Sequence, residues 1–173
     1  MKSIISVDKN EINKLGLLII NNIEEGCNDY YSRVIKTSNK INGEDVYLEF
    51  FKSLFNVYCN EGFYVDFYIN NLTNDEINSI RELLDQSDKD TFNSLISENF
   101  KGIYFKVSSL ELVEFFVRLS TRELFFISFY TKDFTIWGNY DLSFPIFTRD
   151  ASMLLKCFSI IKENDLYLDR INL

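Results

Sequence analysis

Two hydrophobic periods, one of about 3.6 residues and one of about 2, alternate along this chain, and their order narrows its fold more than any other feature. Helical spacing joins Tyr47, Phe50, Phe51, Leu54, Phe55 and Tyr58 in a segment, Glu44–Tyr58, that follows the turn signal Asn42-Gly43 and is expected to end at Gly62. It recurs in Ile77, Ile80, Leu83 and Leu84, in Leu110, Val113 and Val117, and in Leu154, Leu155, Phe158 and Ile161. Cap signals precede these later runs: Thr73-x-x-Glu76, Ser108-x-x-Glu111, and Thr148 or Asp150. In each, a short oxygen-bearing side chain can accept a first-turn N–H that the helix itself leaves unpaired. Asp8-x-x-Glu11 has the same form and predicts a helix carrying Ile12, Leu15, Ile19 and Ile23 as far as Gly26. A break at Ser87-Asp88 precedes a short helix through Phe92, Leu95 and Ile96.

The two-residue period is clearest from Phe63 to Ile69. Phe63, Val65, Phe67 and Ile69 face one way, and Tyr64, Asp66 and Tyr68 the other. Ser3–Val7, Gly102–Val107, Leu124–Thr131, Phe134–Tyr140 and Leu166–Leu168 also read as strands. Phe144–Phe147 is a further candidate that Pro145 confines to an edge or a bulge, and residues 27–43 are weakly patterned. The late strands come in hairpin order, at Lys132-Asp133 for example, rather than alternating regularly with helices. The expectation is therefore an α+β fold: one globular domain over residues 1–173, with a mixed or mainly antiparallel sheet and helices packed on it. At 173 residues such a chain buries about 70% of the surface it exposes when unfolded.

Composition removes several chemistries. The chain has no His, which excludes histidine bases, His-dependent triads and His metal ligation. Cys27, Cys59 and Cys157 stand far apart and read as small apolar residues. No Gly-rich phosphate loop occurs, and Asp85-x-x-Asp88-x-Asp90 lacks the Gly and the distal Glu of a calcium loop. No cofactor or metal is expected. The N-terminus lacks a signal peptide's apolar stretch and no window is long and apolar enough to span a bilayer, so the expected location is the cytoplasm. Trp137-Gly138-Asn139-Tyr140-Asp141 could be a ligand-facing turn, or a strand end where Gly138 relieves a close approach and Trp137 packs. An Asp/Glu pair could run acid–base chemistry without His, which keeps a carboxylate-based enzyme as one alternative.

Charge is uneven. The chain carries 26 acids against 18 bases, a net of −8, yet residues 41–98 alone hold 12 acids and 3 bases. One reading is a solvated surface that keeps the protein soluble. The other is a negative field aimed at a basic partner, which would speed association and repel nucleic acid and anionic membranes. On that reading Asp75, Glu76, Glu82, Asp85, Asp88 and Asp90 steer the partner. Tyr64 and Tyr68, flanking Asp66 and following Glu61, anchor it. The competing arrangement has a helix over this face with both rings in the core. Aromatic-rich edge strands also leave a homodimer open.

A single Ala and a single Gln, against 19 Ile, 18 Asn and 17 Phe, look like an AT-rich coding sequence. With the run Leu124–Thr131, the run Phe134–Tyr140 and a closing helix from Asp150, this acidic, aromatic-rich chain resembles bacterial immunity proteins of contact-dependent-inhibition and polymorphic-toxin systems. The resemblance implies a non-enzymatic protein that binds and neutralises a cognate toxin domain, often a basic nuclease. A phage or mobile-element inhibitor of a host or defence factor is the other binding alternative.

Overall fold

The computed structural model describes residues 4–38, 41–98, 100–138 and 140–171. Among them, eight strands form one sheet: β1 (Ile4–Val7), β2 (Tyr31–Thr37), β3 (Phe63–Asp66), β4 (Tyr104–Val107), β5 (Ser128–Tyr130), β6 (Phe134–Trp137), β7 (Ser143–Thr148) and β8 (Leu166–Asp169). Their order is β1-β4-β3-β5-β6-β7-β2-β8, and the neighbours pair antiparallel. Seven helices accompany them: α1 (Lys9–Lys14), α2 (Ile23–Asp29), α3 (Gly43–Tyr58), α4 (Asn74–Leu83), α5 (Gln86–Ser97), α6 (Leu110–Thr121) and α7 (Ala151–Glu163). The fold is α+β, with a single antiparallel sheet covered unequally on its two faces.

The inner face holds most of the core. Phe63 and Val65 of β3 point the same way as Phe105, Phe129, Ile136, Phe144 and Ile146, and all are buried against α3 and α6. Tyr47, Phe50, Phe51 and Leu54 of α3 are fully buried there, as the helical spacing requires. Phe51 packs on Phe129 with ring centroids 4.3 Å apart, and Tyr47 stacks on Phe144 at 4.4 Å. Each such side chain contributes about 1.5–3 kcal/mol by leaving water. The caps are also present. Thr73 and Glu76 form a reciprocal capping box on α4, and Asp150 accepts the Met153 N–H at the start of α7.

Several local expectations are corrected. The helix expected from Asp8 to Gly26 breaks after Lys14, because Gly16 adopts φ +69 and residues 17–21 run extended over the outer face of the sheet. There Leu17, Leu18 and Ile20 are buried, and the Leu18 N–H donates to the Thr131 carbonyl. Gly26 lies inside α2, where a Cβ would meet the Phe147 ring at 2.3 Å, so it serves close packing rather than a helix stop. Residues 31–37, weakly patterned in sequence, form the interior strand β2. Pro145 is tolerated in the equally interior β7 because the β6 ladder ends at the Ile136–Ile146 pair, one residue short of it. The α4–α5 break falls at Leu84–Asp85 instead of Ser87-Asp88, with Asp85 capping α5, and the cap of α6 is Ser109 rather than Ser108.

Candidate functional site

The outer face of the sheet holds the site. On β3 this face carries Tyr64 and Asp66, and the register sets Asp66 opposite Tyr104 of β4 and Tyr64 opposite Tyr130 of β5. The same alternation puts Ser128, Thr135 and Trp137 on this side. Val7, Ile12, Leu17, Tyr64 and Tyr130 form a small apolar cluster beneath α1 and the extended segment that follows it. Beyond that cluster the covering stops short, leaving a cavity of about 410 Å³. Ile19, Ile20, Asn21, Asn22 and Ile23 line one side of it, and Tyr68, Tyr104, Phe126, Tyr130 and Trp137 supply rings. Asn21, Asn22, Tyr68 and Phe126 are exposed and open the cavity to solvent.

Asp66 and Ser128 also line this cavity. Asp66 is 6% exposed. One carboxylate oxygen accepts the Ser128 backbone N–H at 2.6 Å and the other accepts the Tyr130 hydroxyl at 2.8 Å. A carboxylate oxygen can accept from more than one donor. Among the described residues, no lysine or arginine lines the cavity. Burial pushes the Asp66 pKa above the usual carboxylate range; the bonds from the Ser128 N–H and the Tyr130 hydroxyl, with smaller contributions from the Ser128 hydroxyl and the Asp66 N–H, oppose that shift without cancelling it. Desolvation, and then the neighbouring Asp66 charge, raise Tyr68, Tyr104 and Tyr130. The arrangement is a buried carboxyl group within aromatic walls, open to water on one side.

The residues expected to bind a partner are divided by this architecture. Asp66 and Tyr68 come together in the cavity. Tyr64 does not present a surface: it is 4% exposed, under the N-terminal segment that covers its side of the sheet. The expected solvent-facing Tyr64–Asp66–Tyr68 row thus reduces to Tyr68 alone at the surface. Glu61 is exposed in the turn before β3 and does not line the cavity. Asp75, Glu76, Glu82, Asp85 and Asp90 are exposed on or beside α4 and α5, which pack on the inner face, so the sheet separates them from Asp66.

Asp88 is buried rather than exposed. Arg118 of α6 grips its carboxylate with contacts of 2.7 to 3.1 Å, and Arg122 lies 3.3 Å away. Arg122 also pairs with Glu44 at 2.8 Å and reaches Asp85 at 3.6 Å. These acids clamp α3, α5 and α6 together. Glu76 is occupied in its capping box. The exposed acids outside these contacts include Asp75 and Glu82.

Sequence reading missed Ser128, Tyr104, Tyr130, Phe126 and the asparagine pair Asn21-Asn22. The two-residue period of β4 and β5 could have shown Tyr104, Ser128 and Tyr130 to share a face with Asp66. Gly138 behaves as the strand-end reading expects. A Cβ there would meet Ser120 Oγ at 2.4 Å and the Ile127 carbonyl at 2.8 Å. Trp137 lines the cavity and packs on Phe147. Asn139 lies outside the described residues.

Among the described residues, no group of three or more Cys, Asp or Glu is placed to hold a metal. Cys157 is buried, which pushes its thiol up to about 12. No described helix is long and apolar enough to cross a membrane. No family model, curated protein or solved structure matches the chain.

Proposed function

We propose that this chain is a toxin-neutralising protein of the immunity type, which binds a basic toxin domain by receiving one of its cationic side chains in the Asp66 cavity. The observation that carries this reading is a carboxylate more than nine-tenths buried, lining an open aromatic cavity with no lysine or arginine among the described residues. Ionising a buried carboxyl group that has no counter-charge is costly in the free protein, and an incoming cation offsets that cost while gaining contact with the rings. The net charge of −8 adds a long-range attraction for basic domains. The cavity brings one carboxylate, not the pair that two-carboxylate hydrolysis needs, so it gives that enzymatic alternative no support.

The test is co-expression with the product of the adjacent gene in a bacterial host. The wild-type chain is expected to restore growth and to co-purify with that product. Asp66→Asn is expected to lose both. Failure of the folded wild-type chain to rescue growth would overturn the reading.

A further inference from the structure

The cavity can be assigned a more specific occupant, a step that rests on the binding reading above for its biology. We infer that the Asp66 cavity is a guanidinium site, shaped to take the side chain of a single arginine from the partner in preference to a lysine.

Three features argue for the guanidinium. The first is the free capacity of the carboxylate. Ser128 N and Tyr130 Oη donate to different oxygens, with the Ser128 hydroxyl and the Asp66 N–H as weaker contributors, so the two short bonds leave neither oxygen doubly occupied. A planar guanidinium offers two parallel N–H groups to two such oxygens, whereas an ammonium is a point donor. The second is the lining. Tyr68, Tyr104 and Trp137 contribute their rings to the lining, and a delocalised cation stacks well on aromatic rings. The third is desolvation. An ammonium is strongly hydrated and enters an aromatic cavity at a greater loss than a guanidinium does. Asn21 at the mouth carries an amide oxygen that can accept an N–H group that the carboxylate cannot reach, whereas the Asn22 oxygen already accepts the Glu25 N–H as the cap of α2. Among the described residues, the ionisable groups that line the cavity are Asp66 and the three tyrosines Tyr68, Tyr104 and Tyr130, so none of them is a cation that competes with the ligand.

Trp137 is the only tryptophan of the chain and lines the cavity, which makes its emission a local reporter. The full chain is titrated with Nα-acetyl-arginine amide, its lysine counterpart and its citrulline counterpart, which keeps the shape but not the charge. The arginine probe is expected to change Trp137 emission saturably, the lysine probe to bind several-fold more weakly, and citrulline to have no effect. Asp66→Asn should weaken the arginine probe by about tenfold or more, the loss expected for a charge-assisted pair. Tyr68→Ala, at an exposed residue that the core does not need, should weaken it by about fivefold. Leu83→Ser, at an exposed uncharged residue of α4, should change nothing. A citrulline response equal to that of arginine overturns the inference, as does lysine binding as well as arginine. So does an arginine response that survives in both Asp66→Asn and Tyr68→Ala. Growth rescue without any response to the arginine probe removes this site while leaving the toxin-neutralising reading standing. A selective response without rescue does the reverse.

Discussion

Asp66 is where one residue's environment has a measurable consequence for the whole protein. Burial raises its pKa above the value near about 3.9 that it has in the unfolded chain. Between the two values the folded state holds a proton that the unfolded state has lost. Stability from this group is therefore complete below the unfolded value and declines as pH rises through the folded one. Asp66→Asn removes that dependence. Urea midpoints of the two proteins from about pH 4 to about pH 8 should show the wild type losing stability relative to the variant as pH rises. A difference independent of pH would show that burial does not perturb this carboxyl. The sequence made this residue visible but not its state. The alternation from Phe63 to Ile69 assigned Asp66 to the outer face correctly, yet a period of two says which side a residue takes, not what covers that side. The cover comes from Leu17, Leu18 and Ile20, nearly fifty residues earlier in the chain.

That cover is an element the sequence disguised. Ile12, Leu15, Ile19 and Ile23 satisfy the helical period, but a left-handed turn at Gly16 ends the helix, and the apolar run beyond it is used extended against the sheet. Tertiary burial outweighs local spacing here, as it does in β2, whose weak pattern hides an interior strand paired on both edges. Leu18 is 1% exposed and packs with Ile20 and Phe147. Leu18→Ala should therefore cost about 2–5 kcal/mol in urea unfolding, the loss of a core leucine rather than of a loop residue. A second element-level device is the junction of α3, α5 and α6. Arg118→Met would leave the buried Asp88 with Arg122 alone, and should destabilise the protein by about 3 kcal/mol in the same assay. Neither arginine was legible as a structural partner in the sequence, because their acids lie 30 to 78 positions away. The capping residues Thr73 and Asp150 were legible, because cap and helix are adjacent in the chain.

At the scale of the molecule, the acidic middle third divides into acids that hold helices and acids that face water. Glu44, Asp85 and Asp88 belong to the arginine clamp, while Asp75, Glu82 and Asp90 remain exposed on α4 and α5, across the sheet from the cavity. A field acts through space, so charges remote from a contact can speed encounter without strengthening the final complex, whereas a buried anchor governs how long the complex lasts. The two groups should therefore separate kinetically. In stopped-flow binding of hexa-arginine followed by Trp137 emission, Asp75→Lys, Glu82→Lys and Asp90→Lys together should lower the association rate and flatten its dependence on salt, with dissociation little changed. Asp66→Asn should speed dissociation by about tenfold and leave the salt slope of association intact. If the triple variant instead changes dissociation, the α4–α5 surface is itself in contact with the peptide, and the division of labour between the two sides of the sheet is wrong. If it changes neither rate, the exposed acids serve solubility alone, and recognition falls wholly to the one carboxylate beneath the aromatic rings.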